Sequence, residues 1–371
     1  MASSAEPLEK NKPKLSVLFG QPDIYSTSFQ TRQLAAALVP WFNLDYFRIP
    51  SAKGNLRRSL NRLAYNYIGP FFRRPRTDFL LYCNDGAADL AHWKGRRAIY
   101  WYDAPADWSQ SPPRRRDWIQ YLRCENIRRA EDVFVVSAAQ VRVARALRPG
   151  REASVHYLPV GVDCRVFDPL KADPERVRAQ FSLPRGKTIV GYLGYLGVYQ
   201  GRFAGEILLD IAAELVQRAD VHFLVVGFGP ALQLWKDRVA QLGLSAQFSF
   251  TAYVADELVP HCIAAMDICI DTLEQGFHSE ARSETKLKQY MAMGRACVAT
   301  AIGENCVDLD GGRCGVLAQP GAGEVLKGVL SVCGKPEVRA ELGRAARARA
   351  ELVYDWRVLG AKMAAVLKSN T

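Results

Sequence analysis

Lys286 has the clearest chemical setting of any residue in this 371-residue chain. It lies in Ser283-Glu284-Thr285-Lys286-Leu287-Lys288-Gln289-Tyr290-Met291-Ala292-Met293-Gly294, which reads as a short helix with a glycine stop. Leu287, Tyr290 and Met291 fall at i, i+3 and i+4 and form an inward face. Ser283 is of the type that caps a helix start, and Gly294 of the type that follows a helix end. Lys286 and Gln289, three apart, share the other face. A cation in a first turn works against the helix dipole. A phosphate seated at that end removes the misfit, because backbone N–H groups and the lysine then hold one anion. The alternative is a solvated lysine beside Glu284.

The glycine loops offer the same chemistry. Gly191, Gly194, Gly197 and Gly201 follow an apolar strand pattern and precede a helical one. Glycine lets a backbone approach a diphosphate and present its N–H groups, although an ordinary strand-to-helix turn has the same composition. The spacing is not Gly-x-Gly-x-x-Gly, which excludes a nicotinamide-dinucleotide reading. Gly227-Phe228-Gly229-Pro230 is a lone Gly-x-Gly for which turn chemistry is sufficient. Asp103, within Tyr100–Trp108, could orient or deprotonate a hydroxyl, or simply start the turn at Pro105. His92, His156, His222, His261 and His278 are scattered without metal-ligand spacing. Nine cysteines, none in Cys-x-x-Cys, read as reduced core residues. No metal and no other cofactor is expected.

The elements that would position these residues alternate along the chain. Strand patterns at 15–19, 45–48, 78–83, 97–101, 132–137 and 155–158 are separated by helical ones, including Phe29–Val39, Leu56–Tyr67, Arg114–Ala130 and Ala139–Leu147. The second half repeats the pattern, with strands at 188–193, 221–227, 248–251, 268–271, 296–300 and 315–317. Short strands alternating with helices predict βαβ units and parallel sheets. Prolines at 159, 169, 174 and 184 amid charged residues mark an exposed connection between two domains. The expected boundaries are 1–165, 185–350 and a closing helical segment 351–371. In such a pair of Rossmann-like domains the site lies at the carboxyl ends of the strands.

Several of these stretches also resemble a known family. Lys286-Leu287-Lys288-Gln289-Tyr290-Met291-Ala292-Met293-Gly294-Arg295-Ala296-Cys297-Val298-Ala299-Thr300 is similar to the donor-site stretch of retaining glycosyltransferases of family 4, also called group 1. Leu158–Asp163 with Phe167-Asp168-Pro169 resembles the family's interdomain signature, and Gly191–Gly201 the loop opening its second domain. Val225–Pro230, Ala265–Ile268 and Gly303-Glu304-Asn305 follow in family order, so the likeness covers about residues 155–356. It implies an α/β GT-B fold, two Rossmann-like domains facing each other across a cleft, with the last helix crossing back to the first domain. It further implies transfer of a sugar from a nucleotide-sugar to a glycan or lipid-linked acceptor with retention of configuration.

By this resemblance Lys286 and Arg202 hold the donor diphosphate, Gln289 touches ribose or sugar, and Glu304 contacts donor hydroxyls. Gly194, Gly197, Gly227 and Gly303 shape the donor loops. Asp103 and Glu280 are the candidate catalytic carboxylates, and Gly20 with Gln21 faces the acceptor. The chain departs from the family at four charged positions, one of them Ala281, flanked by Glu280 and Arg282, where the earlier of two glutamates is usual. Tyr195 and Gln200 stand where an arginine and a lysine are usual, and Gln289 where a glutamate is. The alternative is therefore a catalytically weakened GT-B protein acting as a scaffold in glycan assembly. A sugar-nucleotide epimerase is disfavoured by the Tyr290-Met291-Ala292 segment.

Charge divides the chain. Through residue 165 there are 26 Lys+Arg against 15 Asp+Glu, and from 166 onward 23 against 23, so the whole net charge of +11 lies in the first part. That asymmetry points to an acidic partner. Within Gly54–Arg76, Leu56, Leu60, Leu63 and Tyr67 can form an apolar stripe beside Arg57, Arg58 and Arg62. This composition suits an anionic membrane surface or a lipid-diphosphate acceptor, or else a core helix with a solvated basic face. No nucleic-acid module is apparent. No apolar run approaches the ~18 residues that span a bilayer, and the start lacks a signal-peptide core. A cytoplasmic location, peripheral at an inner membrane face, is expected.

Overall fold

The computed structural model describes residues 12–19, 26–48, 77–83, 95–101, 106–114, 116–199, 202–203 and 205–369. They fall into two compact units, one of residues 1–159 with 356–371 and one of residues 160–355.

The first unit is built on a six-stranded sheet. Its strands are β1 (Lys14–Phe19), β2 (Asn43–Arg48), β3 (Phe79–Cys83), β4 (Arg96–Trp101), β5 (Asp132–Val135) and β6 (Val155–Tyr157), in the order β2-β1-β3-β4-β5-β6. Every pairing is parallel. β3 is buried at all five residues, as a strand covered on both faces must be. The helix Trp356–Ser369 belongs to this unit and packs on the helix Ser26–Leu38. The approach is close, since a Cβ at Gly360 would lie 2.7 Å from the Ala37 carbonyl oxygen. Arg148 is a buried structural cation, donating to the Ala130 carbonyl at 2.8 Å and the Ser154 hydroxyl at 2.6 Å. It thereby satisfies carbonyls at the end of the helix Trp118–Arg129.

The second unit has its own six-stranded sheet. After β7 (Thr188–Leu193), the chain makes a short antiparallel hairpin of β8 (Val198–Tyr199) and β9 (Arg202–Phe203). β10 (Val221–Val226), β11 (Phe248–Phe250), β12 (Ile268–Asp271), β13 (Ala296–Thr300) and β14 (Val316–Ala318) complete the sheet in the order β11-β10-β7-β12-β13-β14. Side chains alternate between two cores. Ile189, Leu224, Val226, Cys269 and Cys297 enter one, with the helix Thr285–Ala292. Val190, Phe223, Val225, Ile268 and Val298 enter the other, with the helices Glu206–Arg218 and Ala322–Val332. The period of two places the sheet between two helical layers.

The segment expected as an exposed connection is packed. Val162, Phe167, Val177 and Leu183 enter the first of these cores, and Val162 bridges to Asp355. The prolines end and begin turns here, while the apolar residues between them supply core contacts that charge content conceals. Between β11 and β12 the chain forms a 3₁₀ turn, Asp256–Leu258, and a short helix, Val259–Ala264, with Pro260 in its first turn.

Candidate functional site

The chemistry of the second unit gathers at the carboxyl edge of its sheet. β7 leads to β10 on one side, while β12 pairs with it on the other, so the strand order reverses between β7 and β12. Open α/β sheets bind ligands outside the strand ends at such a reversal. The Gly194–Gly197 loop follows β7, and Asp271 ends β12.

Two glycine loops lock together at that edge. Gly194 N–H donates to the Val226 carbonyl at 3.0 Å, and Leu196 N–H to the Phe228 carbonyl at 2.8 Å. Gly227, at φ +153°, lies so close that an added Cβ would fall 1.9 Å from the Gly194 carbonyl oxygen. Only glycine fits there. Gly197 lies in the same loop, its N–H bonded to the Tyr195 carbonyl at 3.0 Å. Half-exposed Tyr195 and Phe228, with Tyr253 beyond them, form an aromatic chain on the same edge. Their rings meet edge to face at 5.7 Å and 5.2 Å.

Lys286 sits beside these loops. It is the second residue of the helix Thr285–Ala292, whose N-cap is Glu284 and not Ser283. Ser283 is drawn elsewhere: its hydroxyl oxygen accepts from Lys288 Nζ at 2.9 Å and from Val160 N–H at 3.3 Å. The Glu284 side chain makes no capping hydrogen bond. At the other end Gly294 adopts φ +62° and closes the helix as expected. Lys286 Nζ lies 3.2 Å from Asp271 Oδ1, 3.4 Å from the Tyr192 hydroxyl and 4.6 Å from the Tyr192 ring centre. Burial works against its charge, but Tyr192, Asp271 and Glu284 outweigh that and raise its pKa overall. Burial likewise drives Glu284 up, yet Arg282, at 2.9 Å, and the two lysines bring it below the ordinary value.

The two lysines of Lys286-Leu287-Lys288 have opposite environments. Lys288 is wholly buried and ion-paired with equally buried Asp308. Its ammonium lies 5.5 Å from the Tyr354 ring centre. It ties its helix to the short helix Glu304–Asp308 and has no path to a ligand.

Thr300, not among the sequence candidates, and the remaining candidates are placed as follows. Thr300 Oγ1 accepts from Leu273 N–H at 2.7 Å and donates to the Leu273 carbonyl at 3.1 Å, tying the chain after β12 to the end of β13. Gly303, at φ +50°, presses on the short helix Phe277–Glu280, where its Cβ would come 2.7 Å from Glu280 Cα. Glu280 is thus beside Gly303 with its side chain exposed, whereas Glu304 is buried. Gln289 is half-buried one turn beyond Lys286. Arg202 starts β9, and its side chain lies outside the described residues, as do Asp103, Gly20, Gln21 and the basic segment 54–76. Sequence reasoning overlooked Asp271, Tyr192 and the aromatic chain. The terminal position of Asp271 on an apolar strand was the available signal.

This combination defines a class before it defines a family: the chain has the two-domain α/β GT-B fold. The Anabaena protein HepE, in a structure with UDP and glucose, superposes with a TM-score of 0.73 at 16% identity, covering 96% of this chain and 100% of that one. WaaG, a glycosyltransferase of lipopolysaccharide biosynthesis, gives a TM-score of 0.68 at 13% identity over 95% of this chain and 99% of its own. Residues 187–333 match the model of the family described as Glycosyl transferases group 1. The 2-deoxystreptamine glucosyltransferase of Streptomyces kanamyceticus is 28% identical over 220 residues, 58% of this chain and 55% of the relative. The mannosylfructose-phosphate synthase of Agrobacterium fabrum is 26% identical over 293 residues, 76% of this chain and 62% of the relative. The matched stretches thus span between about half and two thirds of those relatives' length.

Proposed function

We propose that this protein is a glycosyltransferase whose second unit holds a nucleotide-sugar and whose first unit presents a glycan or lipid-linked acceptor. Lys286 carries the reading: it is a cation at a helix start that its N-cap side chain leaves uncapped, at the strand-order reversal, beside interlocked glycine loops. The departing diphosphate is held there by the Lys286 ammonium, which offsets charge developing on the leaving oxygen. The aromatic chain Tyr195–Phe228–Tyr253 suits the nucleobase, which stacks on or against such rings. Retention follows from an acceptor hydroxyl attacking on the face the diphosphate leaves. No metal is assigned a part.

The first unit's excess of cations supports an anionic acceptor or membrane surface. Among the described residues no helix is long and apolar enough to cross a membrane. A second reading, nucleotide binding without turnover, is favoured by the Asp271 carboxylate beside Lys286 and by Tyr195 in place of a cation. The test is incubation with UDP-, GDP-, ADP- and dTDP-sugars and candidate acceptors, following release of nucleoside diphosphate and the product anomer by NMR. Release lost in Lys286→Ala, with the donor's anomeric configuration kept, supports the proposal. Binding without release supports the second reading, and an inverted product refutes retention.

A further inference from the structure

Asp271 is an unexpected neighbour for a lysine that is to bind phosphate. It ends β12 and is wholly buried, and Lys286 is its ion-pair partner. Lys286 Nζ lies 3.2 Å from its Oδ1. The other titratable groups acting on this cluster are Glu284 and Arg282 ahead of the helix, Lys288, itself paired with Asp308, and Tyr290 on the helix, His278 on the helix Phe277–Glu280, Tyr192 on β7, Cys269 on β12 and Cys297 on β13. Glu284 and Arg282 pair with each other. With the Lys288–Asp308 pair included, three cations face three carboxylates, with no net positive charge to meet a diphosphate.

We propose that Asp271 is a specificity-determining counter-ion: it holds Lys286 in the free protein, an incoming diphosphate takes the lysine over, and the released carboxylate takes up one proton from solvent. The inference rests on the donor-site reading above. A buried carboxylate left without its cation is costly, and protonation removes that cost. Burial already pushes Asp271 up, and attraction to Lys286 is the main influence holding it down. A phosphate on Lys286 cancels that attraction, so the carboxyl holds a proton more firmly in the complex than in the free protein. By linkage, binding takes up a proton, and affinity falls as pH rises through the range where Asp271 is ionised in the free protein and protonated in the complex. The device selects for ligands anionic enough to win the lysine.

The test is titration calorimetry with UDP-glucose and GDP-mannose, whose diphosphate diesters keep a fixed charge through the neutral range. Wild type, Asp271→Asn and Lys286→Ala are compared in two buffers of different ionisation enthalpy and at several pH values. Wild type should take up a fraction of a proton and lose up to about tenfold in affinity per pH unit toward the alkaline side. Asp271→Asn should bind about tenfold more tightly at about pH 8 and exchange no proton. Should that variant fail to fold, proton uptake by the wild type decides: uptake supports the counter-ion, and its absence overturns it. Unchanged affinity in Asp271→Asn, alongside lost binding in Lys286→Ala, overturns the counter-ion and leaves the donor site standing. Binding by Lys286→Ala equal to wild type, or no binding of either probe, removes the donor site and this inference together.

Discussion

Replacing Lys288 by Met tests whether the second lysine of Lys286-Leu287-Lys288 is structural. Met keeps the length of the side chain and deletes the ammonium. What remains is a fully buried Asp308 whose sole ion-pair partner among the described residues has gone, and a Ser283 hydroxyl that has lost its donor at 2.9 Å. Breaking a buried pair from one side costs about 3–5 kcal/mol. In a unit spanning Val160–Asp355, each kcal/mol lowers the midpoint by about 2–4 °C, so a fall of roughly 6–20 °C is expected. The variant also acquires a distinctive pH dependence. Burial already raises the pKa of Asp308 and Lys288 opposes it, so without Lys288 it rises further. Its folded value then exceeds the unfolded one, so the folded state binds more protons. The variant gains stability as pH falls toward the unfolded carboxylate value of about 3.9, and loses it as pH rises through the folded value. Replacing both partners, Lys288→Met with Asp308→Leu, should recover most of the loss, since a well-packed apolar pair is often neutral or better. Scanning calorimetry at several pH values reads all of this. A single variant within about 2 °C of wild type, or a double variant no better than the single, would refute the reasoning.

Gly227→Ala should destabilise the second unit by about 3 kcal/mol, because its Cβ would meet the Gly194 carbonyl oxygen at 1.9 Å and force the two loops apart. Chemical denaturation and nucleotide titration together measure it, and a neutral outcome would mean that the loops are not interlocked. Of the nine cysteines only Cys306 and Cys333 are partly accessible, and burial raises both thiols, so two should react slowly with a thiol reagent at neutral pH and seven only on unfolding. Phe228→Ala should weaken nucleotide binding by about 1–2 kcal/mol, roughly five- to thirtyfold, if its ring lines the base subsite. Unchanged affinity would remove the aromatic chain from the donor site.

The sequence was most legible where periodicity and burial coincide. β7, β12 and β13 run over the residues their apolar patterns mark, because a strand buried on both faces leaves an uninterrupted apolar run. Gly294 likewise sits where a local rule places it. What escaped were short elements and non-local pairs. The helices Phe277–Glu280 and Glu304–Asp308 are too short to show a period, and the former is fixed by contact with Gly303. Lys286 and Lys288 are indistinguishable in isolation. Their roles come from Asp271 and Asp308, fifteen to twenty residues away along the chain. A cap of the right type at Ser283 lost its place for the same reason, since Lys288 and Val160 claim its oxygen.

Nucleotide binding by the second unit is the claim on which the rest depends, and a thermal-shift series with UDP, GDP, ADP, CMP and dTDP on wild type and Lys286→Ala addresses it most directly. A ligand at about 100 times its dissociation constant adds about 2.7 kcal/mol, which should raise the midpoint by roughly 5–11 °C. The account predicts such a rise with one nucleotide in the wild type and its loss in Lys286→Ala. A folded wild-type protein that shifts with none of them, or a variant that shifts as the wild type does, would contradict it.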